Sequence, residues 1–173
     1  MSAKGKAQVN KLGKAFQSKE ISAIYSSPLK RALDTANAIA KYHKLTVQIV
    51  PELRELEVGD LEGLSVENLT SDFSHFLVHW NKGEGSEKLP GGESLADLQK
   101  RSWAIVQQIA SKHKGTVIVV CHYFVIITII CSVLGLPPSG IKRFRVGVGS
   151  MTVLDFTDNL PRLKSLGDVC HLK

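Results

Sequence analysis

The sequence predicts an α/β fold built on a mostly parallel sheet. Short apolar runs recur at residues 21–26, 46–50 and 117–120. Stretches with helical spacing separate them, which is the alternation that builds parallel sheets. Near the carboxyl end two strand-like runs follow each other without a helix between them, which adds an antiparallel strand at one edge. A length of 173 residues fits a single domain over 1–173.

Residues 4–18 place Val9, Leu12 and Phe16 on one helical face. A short strand at 21–26 leads to Ser27-Pro28, where serine as cap and proline in the first turn start a helix. Leu29, Leu33, Ala36 and Ala40 share a face of that helix, with Ile39 beside them. Residues 46–50 are rich in β-branched side chains and read as the next strand. The acidic, glycine-punctuated stretch 51–65 reads as loop or short helix, and 66–88 shows no period. After the turn at 89–92, Glu93-Ser94 opens a helix with Leu95, Leu98, Ser102, Ile105 and Ile109 inward. Four consecutive apolar β-branched residues, Val117 to Val120, read as a strand buried on both faces. A helix to about Leu134 follows. Residues 144–148 and 151–156 read as strand hinged at Gly147-Val148-Gly149, and 162–166 as a last edge strand.

The composition excludes several classes of function. The net charge is +6, but the early lysines are spaced out and no aromatics interleave with them. That is a solvated helix face rather than a nucleic-acid surface. Residues 117–136 approach membrane-spanning length, yet Cys121-His122-Tyr123 interrupts them and Gly135-Leu136-Pro137-Pro138 ends them. A strand and a buried helix account for the run without a membrane. The amino end is polar and lysine-rich, with no secretory signal. Cys121, Cys131 and Cys170 form no CxxC pair, so free thiols and a cytoplasmic location are expected.

His122 stands where the strand 117–120 ends. Ligands of open α/β sheets bind just beyond the carboxyl ends of strands, so it is either a site residue or a hydrogen-bonded core histidine. Two further stretches should lie beside it. In the stretch from Tyr25 to Arg31 a strand ends, a helix starts and Arg31 lies one turn in, a setting that suits an anion. The stretch from Glu52 to Gly63 supplies carboxylates just after another strand, one of which could act as a general acid if its pKa is raised.

Taken together, these stretches resemble the histidine phosphatase superfamily, which includes cofactor-dependent phosphoglycerate mutases and many phosphomonoesterases. The matching residues are Ser26-Ser27-Pro28-Leu29-Lys30-Arg31-Ala32 with Thr35-Ala36, then Leu53-Arg54-Glu55 with Gly59 and Glu62-Gly63. Pro90-Gly91-Gly92-Glu93-Ser94 ahead of Arg101, and Val119-Val120-Cys121-His122, complete the series. The resemblance implies a three-layer α/β/α fold. It implies that Arg31 holds the phosphoryl group, that Glu55 protonates the leaving oxygen, and that His122 binds and stabilises the transferring phosphoryl group. It implies no metal and no cofactor, a small phosphomonoester as substrate, and phosphatase chemistry through a phosphohistidine. The α-ribazole phosphatase branch is one candidate. Mutase-type transfer, or a non-catalytic module that binds a phospho-ligand or a protein, are the alternatives.

Two departures from the family pattern carry consequences. The family's nucleophile is a histidine in an Arg-His-Gly motif at the end of its first, central strand; no Arg-His-Gly occurs in this sequence. Residues 2–8 look like the family's stretch shortly after that motif, so the domain is expected to be incomplete at its amino end and inactive as given. The strand ending at His122 should then face a gap, and its open edge invites pairing with another chain. After His122, Tyr123 and Ile127 replace the family's usual glycine and arginine. The helix 124–134 becomes apolar nearly all round, a second surface through which copies could associate.

Other readings fail on spacing. A cysteine-phosphatase loop needs an arginine six residues on, where Cys121 has Ile127 and Cys131 has Pro137. His75 and His79 lie one helical turn apart, but Phe76 replaces the glutamate of a zinc-protease motif. Gly147-Val148-Gly149-Ser150 lacks the flanking residues of a dinucleotide or nucleophile-elbow motif. Trp80 and Trp103 read as packing residues.

Overall fold

Strand β1 (Ala23–Ser26) is the centre of the molecule, and all of its residues are buried. The computed structural model describes residues 1–63 and 85–173. β1 pairs in parallel with β2 (Val47–Ile49) on one side and with β3 (Val117–Val120) on the other. The sheet order is β2-β1-β3. Helix α1 (Ala3–Phe16) precedes β1, α2 (Lys30–Ala40) joins β1 to β2, α3 (Leu95–Lys112) precedes β3, and α4 (Tyr123–Val133) follows it.

The strands' period of two sorts the core into two layers. Ile24, Ile118 and Val120 point towards α1 and α2, where Leu12, Ala36 and Ile39 meet them. Ala23, Tyr25, Val117 and Val119 point the other way, onto Leu95, Leu98, Val106 and Ile109 of α3 and Val125, Ile127 and Ile129 of α4. The result is the α/β/α sandwich that the family resemblance implies. Ile24, Leu98 and Ile130 are fully buried; cutting any of them to alanine should cost about 2–5 kcal/mol.

Several boundaries differ from expectation. Helix α2 starts at Lys30 with Leu29 as its cap residue and no side-chain cap bond. Ser27 lies too early in the chain to cap it: its hydroxyl accepts from the Leu29 N–H and bonds His122. The inner face of α2 is Ala32, Ala36 and Ile39, one residue round from the expected stripe. In α3, Val106 rather than Ile105 is buried. Ser94 does cap α3, accepting from the Asp97 N–H while Asp97 accepts from the Ser94 N–H, a reciprocal capping box. Residues 144–148 are not strand. The unperiodic stretch 66–88, with His75, His79 and Trp80, lies largely outside the described residues. Trp103 does pack, stacked on Phe156 at 6.0 Å.

The largest departure concerns β3. All four of its residues are only partly buried, against the expectation of burial on both faces. β1 covers one edge, and no strand pairs with the other among the described residues. The last strands, β4 (Met151–Asp155) and β5 (Arg162–Asp168), form a separate antiparallel hairpin. The sheet therefore does not close up across the gap. Cavities of about 650 Å³ and 840 Å³ flank it, and Val117, Ile118, Val119, Met151 and Thr152 line both. Helix α4 buries Val125 and the run Ile127–Cys131, so packing inside the chain absorbs most of its apolar circumference. Among the described residues no helix is long and apolar enough to cross a membrane.

Candidate active site

The carboxyl ends of β1 and β3 lie level, with Ser26 opposite Val120. The Ser27 N–H extends this pairing by donating to the Val120 carbonyl at 2.9 Å. Each chain segment then turns into a helix, α2 carrying Arg31 in its first turn and α4 following His122 directly. Arg31, Glu55, His122 and Tyr123 all line the 650 Å³ cavity. The three residues predicted from sequence are thus brought together, although they are separated by up to 91 positions (122 − 31).

His122 is buried, at 7% exposure. Its Nε2 shares a hydrogen bond with the Ser27 hydroxyl at 2.7 Å. Burial first, and then the charges of Arg31, Arg101 and Arg54, push its pKa down to about 4. The ring is therefore neutral at physiological pH. The pair has the spacing of a serine–histidine dyad, but Ser27 is fully buried and out of reach of a ligand.

Glu55 is held at the amino end of α4. One carboxylate oxygen accepts from the Phe124 N–H at 3.4 Å and the other from the Leu56 N–H at 2.9 Å. The first-turn N–H groups of a helix have no partner within the helix and carry partial positive charge. His122, in the cap position of α4, makes no side-chain cap bond, so a carboxylate from a distant loop supplies one. Burial raises the pKa of Glu55, and these backbone donors and the Arg31 charge only partly oppose that rise. A raised carboxyl beside a neutral histidine is the combination expected of a proton donor next to an anion site.

The loop carrying Glu55 is fixed from behind by Arg101. Its five N–H groups all find acceptors: both oxygens of Glu93, and the carbonyls of Glu52, Arg54 and Glu55. Glu93 accepts in addition from the Glu57 N–H at 3.0 Å. The glycine turn makes this approach feasible, since a Cβ at Gly92 would lie 2.2 Å from the Glu57 carbonyl oxygen. Sequence reasoning gave Arg101, Glu93 and Ser27 no role of this kind. The only signal in the chain was their place in the matching motifs.

Among the described residues no cluster of three metal-ligating side chains exists. Cys121, Cys131 and Cys170 are free. Burial pushes the Cys121 thiol up to about 12, which keeps it protonated at neutral pH.

Residues 1–169 match the histidine phosphatase superfamily (branch 1). The chain belongs to that family. It is 28% identical over 173 residues to phosphoserine phosphatase 1 of Hydrogenobacter thermophilus, covering 99% of this chain and 82% of the relative. It is 30% identical over 179 residues to a probable phosphoglycerate mutase GpmB of Yersinia enterocolitica, covering 99% and 83%. Among solved structures, YhfR of Bacillus stearothermophilus superimposes with a TM-score of 0.92 at 25% identity, over 100% of this chain and 87% of that one. Relatives thus include phosphatases and mutase-like proteins, as the motifs implied.

Proposed function

We propose that this chain carries the phosphate-holding and proton-donating part of a phosphomonoester phosphatase of the phosphohistidine type. The observation that supports it best is the convergence of Arg31, Glu55 and His122 on one cavity at the carboxyl ends of β1 and β3. Phosphoryl transfer needs positioning and positive charge around the equatorial oxygens more than covalent help from the protein. Arg31 offers its guanidinium to those oxygens. His122 offers a neutral ring N–H. Glu55, kept protonated more than an exposed carboxyl by burial, gives its proton to the leaving oxygen as the phosphorus–oxygen bond breaks. The resulting carboxylate then takes a proton from the water that attacks the phosphoenzyme.

The nucleophile of this mechanism is a histidine in Arg-His-Gly, and the sequence holds no such motif. On this reading the chain alone binds phosphate but does not turn over. Mutases generally carry longer insertions, so hydrolysis is favoured over mutase-type transfer. The free thiols support a cytoplasmic location.

A second reading, a non-catalytic module that recruits another chain, draws support from the open edge of β3. Titration with inorganic phosphate or vanadate, followed by NMR, tests the first. Shifts at Arg31, Glu55 and His122, lost in Arg31→Met, are expected. An unperturbed spectrum at millimolar anion contradicts it.

A further inference from the structure

The bond between Ser27 and His122 has a direction that the surrounding bonds determine. Ser27 Oγ already accepts from the Leu29 N–H at 3.3 Å, in the turn before α2. Its backbone N–H is used by Val120, and its carbonyl accepts from the Ser26 hydroxyl at 2.9 Å. The side chain is fully buried, so water cannot take the hydroxyl proton. If His122 donated through Nε2, that proton would have no acceptor among the described residues. A buried donor without a partner is costly. If the serine donates instead, its hydroxyl proton has Nε2 as acceptor and no donor of the buried serine is left without a partner.

We propose that Ser27 fixes the tautomer of His122: the serine hydroxyl donates to Nε2, and the ring's own proton resides on Nδ1. The histidine then meets the cavity as a neutral donor, with no need to take up a proton first. Its low pKa agrees with this state. Ser27 is a positioning residue here, because it touches His122 and not the cavity. It also ties the end of β1 to the end of β3, so the ring orientation is set by the sheet itself. The use of Nδ1–H towards a phosphoryl oxygen rests on the function proposed above; the tautomer does not.

Long-range ¹H–¹⁵N spectra of the ¹⁵N-labelled chain at pH 7.5 distinguish the two tautomers. The His122 signals can be assigned with a His122→Gln variant. A protonated Nδ1 and an unprotonated Nε2 are expected in the wild-type chain, and a protonated Nε2 overturns the proposal. In Ser27→Ala the ratio of Nδ1–H to Nε2–H forms should fall by about fivefold, the effect of losing one neutral hydrogen bond. An unchanged ratio in a folded Ser27→Ala variant also overturns it. Should that variant not fold, the wild-type spectrum alone decides which nitrogen carries the proton. Adding inorganic phosphate to the same sample separates the tautomer from the phosphoryl role. A shift of the Nδ1–H signal is expected. No shift removes the phosphoryl role from both this nitrogen and the site, while the tautomer is judged by the unliganded spectrum.

Discussion

Arg101 and Glu93 form a paired bridge directly behind the loop that carries Glu55, with side chains only 23% and 13% exposed. The guanidinium donates to three carbonyls of that loop, those of Glu52, Arg54 and Glu55, as well as to the Glu93 carboxylate. The position of Glu55 therefore depends on two residues that do not line the cavity themselves.

Removing both halves of this bridge should cost less than the two single removals added together. Arg101→Met leaves Glu93 half-buried and unpaired, and strips three carbonyls of their donor. A loss of about 3 kcal/mol in unfolding free energy is expected. The double variant Arg101→Met/Glu93→Met should lose clearly less than the sum of the single losses. A double-mutant cycle by urea denaturation measures the coupling.

The two titrating groups of the site give stability slopes of opposite sign. His122 has a folded pKa near 4, below the ordinary 6.5. Between those values the unfolded chain binds more protons, so the histidine's contribution is intact above pH 6.5 and is lost as pH falls towards 4. Glu55 has a raised folded pKa, so its penalty is absent below the ordinary 4.5 and grows as pH rises through the folded value. Relative to wild type, His122→Gln should gain melting temperature as pH is lowered from 6.5 to 4. Glu55→Gln should gain it as pH is raised above 4.5. Melting curves across about pH 4–8 check both signs.

Restoring the family's arginine after His122 should fail as a single change. Ile127 is 1% exposed and packs with α3 and the sheet. Ile127→Arg would place a charge inside the apolar cluster that holds Ile127, at a cost of about 3 kcal/mol or more. The variant should be insoluble or melt far below wild type, whereas Ile127→Val should cost about 1 kcal/mol. Expression in the soluble fraction and thermal melts distinguish the outcomes.

Much of the site was legible because it depends on local pattern. A β-branched run ending in histidine, a helix start with an arginine one turn in, and carboxylates after a strand each have a signature within a few residues. Their convergence follows once the sheet is parallel. What was not legible depends on contacts across the chain. Ser27 looks like a helix cap from its neighbours alone; its partner is 95 residues away. The grip of Arg101 on the Glu55 loop spans 46 to 49 residues. The partial exposure of β3 has the same origin. Four β-branched residues imply burial on both faces, but burial also needs a neighbour on each edge. The missing Arg-His-Gly motif pointed to the gap, whereas the identity of the residues in β3 did not.

The most direct test of the proposed function is an assay of the purified chain with an aryl phosphate, alone and with an added extended peptide ending in Arg-His-Gly. The chain alone should give no hydrolysis above background. With the peptide, hydrolysis should appear and should vanish in Glu55→Gln and His122→Ala. Hydrolysis by the chain alone that His122→Ala abolishes would show that a nucleophile is already present and would contradict the proposed division of roles.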